Sequence, residues 1–168
     1  MISIREVCEE DAERFLALCH QLDWETQFML LEPGERSITL EEQRERIKSI
    51  LARDNQTILV AQDQQGQLTG YLSAIGGDYN RNRYTAYLVI GILQGFAGQG
   101  IGTKLFTQVE KWARTHDVHR LELTVMVHNE RAVKLYQKMG FEIEGLKKHT
   151  LLVNDQFVDE YEMAKLLV

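Results

Sequence analysis

The chain has few of the residues that staple or interrupt a fold. Of its 168 residues only two are cysteines, Cys8 and Cys19, and they show no CxxC or Cys/His spacing. That excludes a disulfide framework and a zinc site, so no metal is expected and a reducing, cytoplasmic compartment fits best. The one proline, Pro33, falls in an aperiodic segment, and no linker, repeat or low-complexity tract breaks the sequence, so residues 1–168 read as a single domain. No apolar run approaches the roughly 18 residues of a membrane span. The start, Met1-Ile2-Ser3-Ile4-Arg5-Glu6, turns acidic at once and carries no basic segment ahead of an apolar one, so no secretory signal is expected. Cationic surplus is missing too: 25 acidic against 19 basic side chains give −6, which disfavours nucleic acid as a partner and mildly favours a cationic one.

What the chain does have is a cluster of glycines where a strand becomes a helix. The apolar run Tyr84 to Leu93 reads as a buried strand, and Gly100 to His116 carries Ile101, Leu105, Val109 and Trp112 on one helical stripe. Between them lies Gln94-Gly95-Phe96-Ala97-Gly98-Gln99-Gly100-Ile101-Gly102. Residues without Cβ allow a tight bend and close approach of a ligand, and the N–H groups of a first helical turn form an anion site. A phosphate or pyrophosphate is the expected guest. Two common phosphate loops fail on spacing. A Walker loop needs Lys and then Ser or Thr after its last glycine, whereas Ile101 follows Gly100 and Thr103 follows Gly102. A dinucleotide fingerprint is G-x-G-x-x-G, whereas Gly98, Gly100 and Gly102 give G-x-G-x-G, and the acidic residue downstream, Glu122, falls mid-strand.

The remaining elements follow from periodicity. Ile2 to Val7 alternates like a strand, and Glu10 to Leu22 carries Phe15, Leu16, Leu18, Cys19 and Leu22 at helical spacing. Asp23 to Ser37 has no period and reads as a loop, a candidate substrate lid. Thr39 to Glu42 is a capping box opening a helix that ends near Arg53. Gln56–Gln62 and Gln67–Ile75 form a hairpin around Asp63-Gln64-Gln65-Gly66. Arg120 to Val127 alternates Leu121, Leu123 and Val125 against Glu122, Thr124 and Met126, so Tyr84 to Val127 is a βαβ crossover with a parallel strand pair. Asn129 caps a short helix striped by Ala132, Leu135, Tyr136 and Met139 and stopped by Gly140. Phe141–Val153 and Phe157–Leu167 close the chain as a hairpin around Asn154-Asp155-Gln156.

Two of these segments carry a resemblance. Ala97-Gly98-Gln99-Gly100-Ile101-Gly102, after a strand, resembles the R/Q-x-x-G-x-G/A acyl-coenzyme A loop of the GCN5-related N-acetyltransferases, departing where Ala97 replaces Arg or Gln. Asn129, Ala132, Leu135, Tyr136, Gly140 and Phe141 match that family's N-x-x-A-x-x-L-Y-x-x-x-G-F segment, and the order of elements is the family's over nearly the whole chain. The resemblance implies a mixed α/β acyl-CoA N-acyltransferase fold: a central, mostly antiparallel sheet with one parallel βαβ crossover and helices on both faces. It implies acetyl-CoA as co-substrate, its pyrophosphate on Gly98, Gln99, Gly100, Ile101, Gly102 and Thr103, its carbonyl oxygen met by a main-chain N–H near Ile92 or Leu93, and its pantetheine arm near Asn129. Tyr136, near the thioester sulfur, is the catalytic candidate; core packing accounts for Ala132, Leu135 and Phe141.

The implied reaction is acetyl transfer to a primary amine by direct attack through a tetrahedral intermediate. It needs a free amine lone pair, a donor for the developing oxyanion and stabilisation of the departing thiolate, but no enzyme nucleophile. Cys8 and Cys19 lie outside both motifs, which disfavours an acyl-cysteine route. Candidate acceptor contacts are Glu25, Glu32 and Tyr84, with Tyr87 on the same strand as Tyr84, and a carboxylate among Glu25, Glu32, Glu35 and Asp78, or a water chain, is expected to assist deprotonation of the amine. Lys104, Lys111 and Arg114 are candidates to meet the coenzyme's phosphates in place of the side chain missing at Ala97. The acceptor is expected to be a small-molecule amine or a protein N-terminus, with no nucleic acid or membrane partner, acting on a monomer or homodimer. A non-catalytic acyl-CoA binding or sensing domain is the alternative, and Tyr136 favours the enzyme over it.

Overall fold

In the computed structural model, which describes residues 1–168, strands and helices follow the expected order. They are β1 (Ser3–Glu6), α1 (Ala12–Glu25), α2 (Leu40–Leu51), β2 (Gln56–Gln62), β3 (Leu68–Gly76), β4 (Thr85–Ile92), α3 (Ile101–Thr115), β5 (Arg120–Met126), α4 (Glu130–Lys138), β6 (Glu142–Val153) and β7 (Gln156–Leu166). The strands form one sheet in the order β1-β2-β3-β4-β5-β7-β6. Every neighbouring pair is antiparallel except β4 and β5, which run parallel.

The near-continuous apolar runs of the inner strands are explained by burial on both faces. On β2, Leu59 and Ala61 face a core shared with Leu105, Phe106 and Val109 of α3 and Tyr136 of α4, while Ile58 and Val60 face a second core shared with Phe15 and Leu22 of α1 and Ile47 of α2. Side chains alternate across a strand, so both cores are written into one segment. α2 begins as its sequence dictates: Thr39 Oγ1 accepts from the Glu42 N–H at 3.1 Å, and the Thr39 N–H donates to Glu42 Oε1 at 3.4 Å. Asn129 caps α4 by accepting from the Ala132 N–H at 3.4 Å, and Gly140, with φ +93°, ends it in the left-handed conformation.

Most boundaries shift by a residue or two from the expected ones, and three of the differences bear on the fold. α1 runs on to Glu25 instead of stopping at Leu22, because Asp23 is not a solvated helix end. Its carboxylate is buried and accepts from Arg36 Nε and Nη2 at 2.7 and 3.0 Å, so the aperiodic segment folds back onto the helix it leaves. β4 is one residue shorter at each end than the apolar run Tyr84 to Leu93. The closing turn is the two-residue Asn154-Asp155, both at positive φ, as a type I′ hairpin requires, with Gln156 already in β7.

The feature that prepares a site is an interruption of the sheet. β4 and β5 pair only from Thr85↔Arg120 to Tyr87↔Glu122, and beyond that the strands diverge. Parallel neighbours bring their C-terminal ends to the same edge, so the glycine-rich segment after β4 and the His128-Asn129 corner after β5 flank one opening.

Candidate functional site

The first wall of the opening is main chain. Gly98 and Gly100 adopt φ +79° and +77°, a conformation that side chains disfavour, and this turns the chain so that successive N–H groups face outward. No protein acceptor takes the N–H of any residue from Gly98 to Thr103; the first intrahelical bond of α3 is Lys104 N–H to Gly100 O at 3.1 Å. A Cβ on Gly100 would meet nothing within 4 Å, so the space over it is open. Gly102 serves a different end. A Cβ there would lie 2.6 Å from Leu135 Cδ2, so its missing side chain lets α3 and α4 close on each other below the loop. An unpaired run of amides at a helix N-terminus fits a pyrophosphate.

Between the diverging strands, β4 offers further unpaired main chain. Leu93 donates its N–H to Thr69 O of β3 at 2.9 Å, which commits that amide. Pairing in an antiparallel ladder alternates, so Ile92 directs its N–H the other way, toward β5, where it has no strand partner. Of the two residues named for the carbonyl contact, Ile92 is the one whose amide is not committed to β3.

Tyr136, on α4, lies near enough to Tyr87, at the last β4–β5 pair, for the two phenols to interact at the start of the gap. It is 7% exposed, with ring centroids 5.4 Å from Phe106 and 6.4 Å from Phe141. No protein group hydrogen-bonds its hydroxyl, yet every fully buried side-chain N or O has a partner; the hydroxyl therefore lies on accessible surface at the end of a buried ring. Burial raises its phenol well above the ordinary value, and the neighbouring Tyr87 raises it further, so it stays protonated. Tyr87 Oη and Thr124 Oγ1 meet at 2.7 Å, tying the last paired residue of β4 to β5 two residues beyond its last pair.

The second wall is the segment after α1. Glu25 Oε1 accepts from the Gln94 N–H at 2.6 Å, and Gln94 Nε2 donates to Glu25 O at 2.7 Å. Further along, the Phe28 ring lies 5.3 Å from His128, at the corner between β5 and α4. The loop thus spans the opening from the end of β4 to the end of β5. Sequence reasoning flagged the loop but missed Phe28 and His128, which are a hundred positions apart and share no motif.

Other candidates fall elsewhere. Tyr84 stands before β4, about 26 Å from Ile92 at roughly 3.3 Å of strand per residue, beneath the Arg83 guanidinium. Glu32 is an exposed residue of the loop's own turn, its N–H donating to Glu35. Asp78 pairs with Arg53 at 3.1 Å. Lys111 and Arg114 lie about 13 and 18 Å along α3 from Gly102 at ~1.5 Å per residue, too far to serve the loop, and Arg114 pairs with Glu110. Asn129 spends its side-chain oxygen on the α4 cap, at the mouth of the gap. No three His, Cys, Asp or Glu side chains cluster as a metal site. Burial pushes the Cys19 thiol up to about 11, so it holds almost no thiolate near neutral pH. Cys8 is exposed, with its thiol also raised above the ordinary value. No helix is long and apolar enough to cross a membrane.

Comparisons with known proteins bear on the fold and the family. The chain is 35% identical over 104 residues to the L-amino acid N-acetyltransferase AaaT of Escherichia coli, a match covering 60% of this chain and 62% of that enzyme. It superposes over its full length on the whole of an acetyltransferase structure from Streptococcus pneumoniae, with TM-score 0.95 and 31% identity. The structure of yncA from Salmonella typhimurium with acetyl-CoA shares the fold, with TM-score 0.87 and 18% identity over 100% of this chain and 95% of that one. The model of the acetyltransferase (GNAT) family matches residues 16–141, and the chain belongs to that family.

Proposed function

We propose that the protein transfers an acetyl group from acetyl-CoA to a primary amine by direct attack, through a tetrahedral intermediate. The observation that carries this reading is the β4–β5 divergence, with the unpaired amides of Gly98 to Thr103 on one side and, near Tyr87 at its start, the unpartnered Tyr136 hydroxyl of α4. The amides of the glycine loop receive the pyrophosphate, and Asn129 borders the pantetheine arm. The Ile92 N–H polarises the thioester carbonyl and stabilises the oxyanion that forms on attack. The attacking amine must arrive deprotonated, since an alkylamine of pKa about 10.4 is only ~0.1% free base near neutral pH.

Tyr136 faces the departing thiolate. Between unperturbed groups, proton transfer from a phenol to a thiolate is uphill by about 1.5 pKa units, or ~2 kcal/mol. Burial raises the Tyr136 phenol, which widens that gap. Its role is therefore to donate a hydrogen bond to the thiolate while keeping its proton.

The acceptor enters from the side of the α1–α2 loop. AaaT is named for L-amino acids, and a small-molecule amine suits an opening bridged by Phe28 and His128, with a protein N-terminus as the other acceptor class. A screen of amino acids, polyamines and peptide N-termini for release of free thiol from acetyl-CoA tests the reading. One amine class should give turnover that saturates with acceptor. Coenzyme binding without thiol release for any amine would leave an acyl-CoA sensing domain in its place.

A further inference from the structure

The loop's sequence departure at Ala97 has a structural counterpart on another element. Ala97 is exposed and extended, with φ −65° and ψ 149°, and provides no cation where the family pattern has Arg or Gln. One guanidinium does reach the loop: Arg131 Nη2 lies 3.6 Å from where a Cβ on Gly98 would stand. Arg131 is exposed, in the first turn of α4, and forms no ion pair or hydrogen bond within the protein. A cation in a first turn opposes the helix dipole, so α4 itself gains nothing from an arginine there. The other basic residue beside the loop, Lys104, lines a hollow with Met1, Ile2, Asp63 and Gln99, next to the β2–β3 turn. We infer that Arg131 binds the pyrophosphate of acetyl-CoA in place of the side chain absent at Ala97, closing the glycine cradle from α4. This rests on the reading that the amides of Gly98 to Thr103 hold that group. An Arg fork suits two phosphate oxygens, and its approach over Gly98 is open because that residue has no side chain.

Calorimetric titration of the unliganded protein with three compounds tests the assignment: acetyl-CoA, its 3′-dephospho form, and S-acetyl-pantetheine, which has no phosphate. Arg131→Ala should weaken the first two alike by about tenfold to a hundredfold, the range of hydrogen bonds to charged groups, and leave S-acetyl-pantetheine unchanged. Its melting temperature should hold or rise slightly, because an unfavourable dipole contact is removed. Adding Ala97→Arg to that variant should restore most of the lost affinity. Unchanged acetyl-CoA affinity in Arg131→Ala would overturn the assignment, as would a loss shared by S-acetyl-pantetheine, which marks a structural role, or one absent from the dephospho compound, which marks the 3′-phosphate. Failure of the underlying reading shows separately: the wild-type protein would then bind acetyl-CoA no tighter than S-acetyl-pantetheine.

Discussion

The two walls of the β4–β5 opening are built on different principles. The wall proposed for the coenzyme is main chain: free amides from Gly98 to Thr103, the Ile92 amide aimed into the gap, and Gly102 packed against Leu135. The wall proposed for the acceptor is side chain, and its ties join residues far apart in the sequence. Glu25 grips Gln94 across 69 positions, Asp23 buries itself on Arg36, and Phe28 lies against His128. Main-chain recognition demands residues without side chains at fixed spacing from a strand and a helix, so it leaves a mark on the sequence. Side-chain recognition can be supplied from any loop that reaches the site, and it leaves none.

If the division holds, a residue in the gap should affect chemistry without affecting either binding event. Tyr136→Phe keeps the ring against Phe106 and removes the hydroxyl. The chemical step should slow by about 100-fold or more, the scale of a lost catalytic proton donor or oxyanion partner. Coenzyme Kd and acceptor KM should stay near wild type. Because burial holds the phenol protonated, the wild-type rate should also show no descending limb up to about pH 10, where an unperturbed tyrosine would ionise. Single-turnover measurements that find wild-type rates in Tyr136→Phe would make Tyr136 a core aromatic and no more.

The coenzyme wall can be broken on its own at Gly102. A valine there would press on Leu135 Cδ2, where even a Cβ would stand at 2.6 Å, and force α3 and α4 apart. Overpacking of this kind costs about 1–3 kcal/mol of stability, and the shift should also disturb the amides above it and weaken acetyl-CoA. Acceptor KM should change little. Urea unfolding that gives an unaltered midpoint would mean that Leu135 simply rotates away.

This asymmetry also decides what could be read before the structure was known. The order of elements and the parallel crossover followed from periodicity and from caps such as Thr39 and Asn129, because local patterning and hydrogen bonding fix those features, while helices on both faces of the sheet were implied by the resemblance alone. Buried charge escaped the same reasoning. Asp11 is fully buried among Arg5, Arg14 and the Cys8 N–H, and Asp23 is buried by Arg36, yet both look like solvated residues in a hydrophobicity pattern. That is why α1 was expected to stop short and why the loop after it had no visible anchor. Tyr84 was misplaced for a related reason: its strand pointed toward the glycine loop, but a strand of that length has two distant ends. Arg131 sat inside a matched motif at one of its unspecified positions, where only the fold shows what its side chain meets.

The smallest effect belongs to the acceptor wall and is the sharpest test of it. Phe28 is 43% exposed, and its ring meets His128 at 5.3 Å with the planes 51° apart, so the contact holds a surface loop across an opening. An aromatic pair contributes about 0.5–1.5 kcal/mol beyond its buried area, and solvent on one side of Phe28 favours the lower end. Phe28→Ala should therefore raise acceptor KM by roughly two- to fivefold. The coenzyme should bind as before, since no part of the glycine loop depends on Phe28. His128→Ala should give a similar rise, and the double variant should be no worse than either single one, because the two rings form one contact. Additive losses would mean that each ring touches the acceptor separately. A loss of coenzyme affinity in Phe28→Ala would join the two walls into one and remove the distinction between them.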